Sequence, residues 1–147
     1  MKRITRSALV PYPAEALFAL VDAVEAYPAF LPWCISSQVH SRTADATTAT
    51  LAVGVKGLRQ SFTTRNENTP GREIRMHLVE GPFRRFHAAW RFEPLGNKGS
   101  KVEFTFEYEL STPLLARLLE PLFDRMADTM VDAFAKRADA LHGSSPG

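Results

Sequence analysis

The feature that most constrains this chain is a change of hydrophobic period at Ser111-Thr112-Pro113. Before it, apolar residues alternate, and "KVEFTFEYEL" shows this most clearly. Val102, Phe104, Phe106, Tyr108 and Leu110 share one face, while Glu103, Thr105, Glu107 and Glu109 share the other. Such alternation belongs to a strand with one buried and one wet side. After it, Leu115, Leu118, Leu119, Leu122, Met126, Met130, Phe134, Ala138 and Leu141 recur at helical spacing up to Gly143. A hydroxyl to cap the first turn and a proline within it mark the helix start. Pro121 falls inside the pattern and predicts a kink or restart. The roughly 20 residues beyond it would reach about 30 Å, enough to cross a whole domain.

The period of two runs back from Leu110 to Trp33. "TATLAVGV" sets Ala49, Leu51, Val53 and Val55 on one face, and Lys56-Gly57 turns into a strand where Leu58, Gln60, Phe62 and Thr64 share a side. "REIRMHLVE" alternates Ile74, Met76 and Leu78 with charged residues, and "RRFHAAWRFEP" lines up Phe86, Ala88, Trp90 and Phe92. "GNKGS" is the turn before the last strand. Near the N-terminus, "KRITRSALV" reads as a strand in which Arg6 interrupts the apolar side. "PYPAEALFALVDAV" then carries a helical face of Leu17, Leu20 and Val21. The next segment, "VEAYPAFLPWC", holds Pro28 and Pro32 around about one helical turn.

The expected architecture is therefore α+β. A curved antiparallel sheet of about seven strands wraps on a long C-terminal helix, with two short helices after the first strand. Short connections and strict alternation favour antiparallel pairing, and only the last helix is long enough to cover the apolar face. At 147 residues the chain is one domain in size and can build a core without staples. The expected domain spans 1–143, with a disordered tail at 144–147. The basic N-terminus is interrupted by Pro11 and Pro13 and reads as mature sequence rather than a leader.

The inward-facing set is large and soft: Phe62, Met76, Phe86, Trp90, Phe104, Phe106, Met126, Met130 and Phe134. Two readings fit it equally on periodicity. One is a filled core; the other is a cavity left where a curved sheet and a straight helix diverge, suited to a greasy ligand.

Catalytic chemistry is sparse. Cys34 is the single cysteine, flanked by Trp33 and Ile35 with no local base, and reads as an inert buried thiol in a reducing compartment. His40, His77, His87 and His142 are scattered, without the spacing of a zinc site, so no metal is expected. Glu103, Glu107 and Glu109 read as a solvated face paired with arginines of the next strand. Neither a phosphate-binding glycine loop nor a nucleophile elbow is present. The net charge is only +2. Lys2, Arg3, Arg6, Arg65, Arg72, Arg75, Arg84 and Arg85 are spread through the sequence, a weak footprint for nucleic acid.

Read together, "SALVPYPAEALFALV", "VEAYPAFLPWC", "GLRQSFTTRN", "LVEGPFRRFHAAWRFEPL", "VEFTFEYEL" and "RMADTMVDAFAKRA" resemble the START-like coenzyme-Q-binding family. Within it they resemble the bacterial ribosome-association toxin branch. The resemblance covers nearly the whole chain and implies the helix-grip (Bet v 1-like) fold, with an apolar tunnel between sheet and helix. It implies a non-enzymatic carrier of a prenyl quinone such as ubiquinone, supporting respiratory electron transport and needing no other cofactor. Two alternatives accompany that reading: a toxin that binds the large ribosomal subunit and blocks subunit association, and a polyketide cyclase or aromatase.

On this resemblance, Tyr27, Phe30, Leu31 and Trp33 form the mouth of the tunnel. Phe62, Met76, Trp90, Phe104, Phe106, Met126, Met130 and Phe134 line it, and Lys2, Arg84 and Arg85 are the ribosome contacts. The implied setting is cytoplasmic, with transient contact at the inner membrane surface and no DNA partner. Phe30→Asp is expected to weaken ligand retention more than folding.

Overall fold

The computed structural model describes residues 2–55, 57–96 and 99–143; the expected tail at 144–147, Lys56 of one expected turn, and Asn97 and Lys98 of the expected "GNKGS" turn lie outside them. Strand β1 (Lys2–Val10) leads into α1 (Ala14–Asp22) and a 3-10 turn (Val24–Ala29). Six more strands follow: β2 (Cys34–Arg42), β3 (Ala46–Val55), β4 (Leu58–Thr69), β5 (Glu73–Glu80), β6 (Phe83–Leu95) and β7 (Gly99–Leu110). The chain closes with α2 (Pro113–His142).

All seven strands form one antiparallel sheet in the order β1-β7-β6-β5-β4-β3-β2. Only β1 leaves sequence order, crossing to pair with β7 so that Ile4 faces Phe106 across the ladder. Register shifts in β2, between Thr63 and Thr64 of β4, and between Phe83 and Arg85 of β6 mark bulges. Such bulges bend strands and increase twist, which lets the sheet curl around α2. Gly57, at a φ of 84°, supplies the left-handed residue that the tight β3–β4 connection requires.

The helix begins where the sequence says it should. Thr112 Oγ1 accepts the Leu115 amide at 3.1 Å, and Pro113 occupies the first turn. Pro121 neither breaks nor restarts α2, which continues through it. The proline removes a single amide donor at an exposed position, and the packing on either side retains the helix.

That packing buries Leu119, Leu122, Phe123, Met126, Ala127, Met130, Val131, Phe134 and Ala138 against the sheet. Polar contacts fix the edges. Lys2 on β1 donates to Asp124 at 2.7 Å, Arg6 pairs with Asp128, and Tyr12 donates to Asp139, all three carboxylates on α2. Arg6, the misfit on the apolar side of β1, thus serves as a clasp between sheet rim and helix.

Candidate functional site

Between sheet and helix the sequence left a choice of filled core or tunnel. The structure shows a narrow void of about 30 Å³, lined by Tyr27, Leu51, Phe62, Met76, Phe86, Ala88, Trp90, Phe104, Phe106, Met126, Ala127 and Met130. A space this small holds about one water molecule, whereas ligand pockets usually run to about 300–1,000 Å³. The long open tunnel is absent among the described residues, because the aromatic rings interlock. Trp90 lies 4.7 Å from Phe104 and 5.2 Å from Phe134, centroid to centroid, and Phe83 lies 4.9 Å from Phe123.

Of the expected lining, Phe62, Met76, Trp90, Phe104, Phe106, Met126 and Met130 surround the void, joined by Tyr27, which was expected at the mouth. Phe134 does not; it is fully buried and packs edge-on against Tyr27, Phe30 and Trp90. Leu31 is core as well, at 1% exposure. Leu51, Phe86, Ala88 and Ala127 complete the lining; Leu51, Phe86 and Ala88 were legible from their strand faces as inward, while Ala127 was too small to stand out.

The lining offers little chemistry. Its single hydroxyl, on Tyr27, donates to the Val21 carbonyl, and burial holds its acidity well below that of an ordinary phenol. Cys34 is buried, with its thiol pushed up to about 11 by that burial, and its sulfur faces the Ser36 carbonyl at 3.6 Å. A neutral, shielded thiol is a poor nucleophile.

Phe30 and Trp33, expected at the mouth of the tunnel, instead border the outer surface, Phe30 half-buried and Trp33 buried behind it. With Pro32, Gly54, Arg125, Thr129, Asp132, Ala133 and Lys136 they line a surface cleft of about 390 Å³ between the end of the 3-10 turn and α2. The guanidinium of Arg137 lies over the Phe30 ring at 5.0 Å. The Gly54 amide donates to the Trp33 carbonyl at 2.9 Å, fixing the indole against β3. Glycine is required there: a Cβ would come within 2.6 Å of the Leu58 carbonyl oxygen and 2.9 Å of Ile35 Cδ1.

The expected ribosome contacts divide. Lys2 and Arg84 line a second hollow of about 210 Å³ beside Glu109 and Glu120. Lys2 is paired with Asp124, which raises its pKa, and Arg85 lies 3.9 Å from Glu109. Arg84 donates to the Ser111 carbonyl at 3.2 Å. Most other outer-face arginines are also partnered, Arg59 excepted: Arg3 with Glu107, Arg65 with Glu67, Arg72 with Glu15, and Arg75 and Arg91 with Glu73. Exposed pairs of this kind add little stability but neutralise the surface.

Comparison with known proteins places these features in context. Residues 10–135 match the family described as polyketide cyclase/dehydrase and lipid transport. The chain is 48% identical over 140 residues to the ribosome association toxin RatA of Pseudomonas aeruginosa, covering 95% of this chain and 97% of that one. It is 28% identical over 138 residues to the mitochondrial coenzyme Q-binding protein COQ10 of Dictyostelium discoideum, covering 91% and 67% respectively. Among solved structures, the Zhui aromatase/cyclase from Streptomyces sp. R1128 superposes with a TM-score of 0.87 over 99% of this chain and 98% of that one. At 18% identity that likeness speaks to the fold alone.

Proposed function

The chain belongs to the polyketide cyclase/dehydrase and lipid transport family, and we propose that within it this protein is a non-enzymatic, ribosome-directed binding protein. It would hold the large ribosomal subunit and hinder its joining to the small one, working in the cytoplasm. The observation that carries this reading is the closed interior. A void of about 30 Å³ is too small for a prenyl chain without re-packing of its walls, which favours a partner met on the surface. The 48% identity to a protein named for ribosome association supports the same direction. Sucrose-gradient profiles after overexpression test it: free subunits should rise at the expense of assembled ribosomes, and an unchanged ratio would contradict it.

A second reading, binding of a prenyl quinone or similar apolar lipid, is favoured by one observation. The lining of the void is almost wholly apolar and includes Met76, Met126 and Met130, side chains that re-pack at low cost. Met76 and Phe86 are only half-buried, so the wall facing them has somewhere to move. Solvent extraction of the purified protein followed by mass spectrometry tests this reading. Absence of any retained or exchangeable quinone would count against it. A cyclase would need an ionisable group at the void, and the Tyr27 hydroxyl is already bonded to backbone.

A further inference from the structure

We propose that the cleft between the Phe30–Trp33 segment and α2 is the surface that grips RNA. An unstacked base would lie against the half-buried Phe30, over the cleft floor that the recessed Trp33 forms, with neighbouring phosphates on Arg125, Lys136 and Arg137. The proposal rests on the ribosome-directed reading and supplies that reading with a site.

Three observations converge on this cleft. Arg125, Lys136 and Arg137 have no carboxylate within ion-pair distance among the described residues, and Arg125 and Lys136 share one cleft, whereas most arginines on the outer face of the sheet are paired with glutamates and Arg59 stands apart from other unpaired cations of that face. Their charge is therefore available to an anion, and Asp132 is the one acid lining the cleft. The indole Nε1 of Trp33 is buried without an acceptor, an unmet donor on a residue that lines the cleft, which a small shift of the wall on binding would let a phosphate or base oxygen satisfy. Aromatic surface flanked by cations is the combination that holds single-stranded nucleic acid, through stacking and phosphate contact together.

Helix geometry sets the length of the contact. Arg125 and Lys136 stand eleven residues apart along α2, about 16 Å at 1.5 Å per residue. That is several times the roughly 3.4 Å axial rise per phosphate on one strand of a duplex, and more than twice the through-space gap of about 6–7 Å between successive phosphates, so the two cations serve different phosphates.

A lipid surface fits less well, because it calls for several protruding apolar side chains. Trp33 is recessed, Ile35 beside Gly54 is a single exposed aliphatic, and the exposed Leu114 and Leu118 lie in the first two turns of the helix, remote from Lys136. An acidic protein would use the cations but not the aromatic surface.

The test uses the two tryptophans as internal reporters. The indole N–H resonances of ¹⁵N-labelled protein, assigned with Trp33→Phe, are followed during titration with a single-stranded RNA oligonucleotide. The Trp33 signal should move while that of buried Trp90 stays. Arg125→Glu with Lys136→Glu should weaken binding by about tenfold or more, and three phosphate contacts predict a salt slope near −2, at about −0.7 each. Arg65→Glu with Arg75→Glu carries the same charge change on the neutralised face and should bind as wild type. Circular dichroism confirms that each variant is folded.

An unmoved Trp33 signal, equal weakening by the control pair, or an equal response to polyglutamate would each overturn the proposal. Co-sedimentation with purified large subunits separates the two claims. Equal sedimentation of wild type and cleft variant would leave the ribosome-directed reading intact and remove the cleft from it. Failure of wild type to sediment would refute the ribosome-directed reading, while the RNA titration still decides the cleft.

Discussion

Two spaces in this molecule border the same short segment and differ in every physical respect. Tyr27 faces the interior void, while Phe30 and Trp33 face the outer cleft. The void is about 30 Å³, apolar, and its one hydroxyl is bonded; the cleft is about 390 Å³, rimmed by unpaired cations, with an indole donor lacking a partner. A space whose interactions are complete serves the fold. Unmet hydrogen-bonding and charge capacity is what a partner can use. The difference assigns stability to the inside of the grip and recognition to the outside.

The strongest blow to the interior side is Phe134→Ala. It removes the ring wedged between Tyr27, Phe30 and Trp90, and should cost about 3–5 kcal/mol in urea denaturation. A loss below about 1 kcal/mol would mean that the interior is looser than the interlocked rings indicate. Ala88→Leu probes the void itself. Three added carbons exceed the space available, so overpacking should cost about 1–3 kcal/mol while leaving ribosome association of the folded protein unchanged. A gain in stability would reveal a larger cavity and revive the lipid reading.

Gly54→Ala crosses the boundary between the two regions. Its Cβ would push on the Leu58 carbonyl and disturb the bond to Trp33, so a loss of about 1 kcal/mol should accompany a shift of the Trp33 indole signal. An unchanged signal would detach Trp33 from β3. The last effect is chemical. With its thiol raised from 9.0 to about 11, Cys34 should alkylate at least about a hundredfold more slowly in the folded chain than when unfolded, at any pH below 9. Because the folded state keeps this proton while the unfolded state loses it, stability should fall as pH rises from 9 towards 11. Rapid labelling of folded protein at pH 8 would show the thiol to be open.

Much of this was legible in the amino-acid sequence, and the exceptions have physical causes. Alternation identified the buried faces of β4–β7, and Thr112-Pro113 marked the start of α2 correctly. Alternation could not separate a lined tunnel from a filled core, since both place the same Phe, Trp and Met side chains inward. Phe134 has the right helical phase for the void, yet it packs beside it because the 3-10 turn brings Tyr27 and Phe30 onto its ring. That turn follows neither period, so nothing in the sequence told which way Phe30 and Trp33 point. The ion pairs depend on cross-strand register, such as Arg3 opposite Glu107, and register also decides which cations remain free.

The most direct test of the division between inside and outside is a set of sucrose-gradient profiles from cells overproducing three forms at equal level: wild type, Ala88→Leu, and Arg125→Glu with Lys136→Glu. Recognition on the outer cleft predicts that wild type and Ala88→Leu raise the free-subunit fraction equally, while the double variant leaves it at the level of uninduced cells. The reverse pattern, with the void variant inactive and the cleft variant fully active, would contradict it and place function inside the grip.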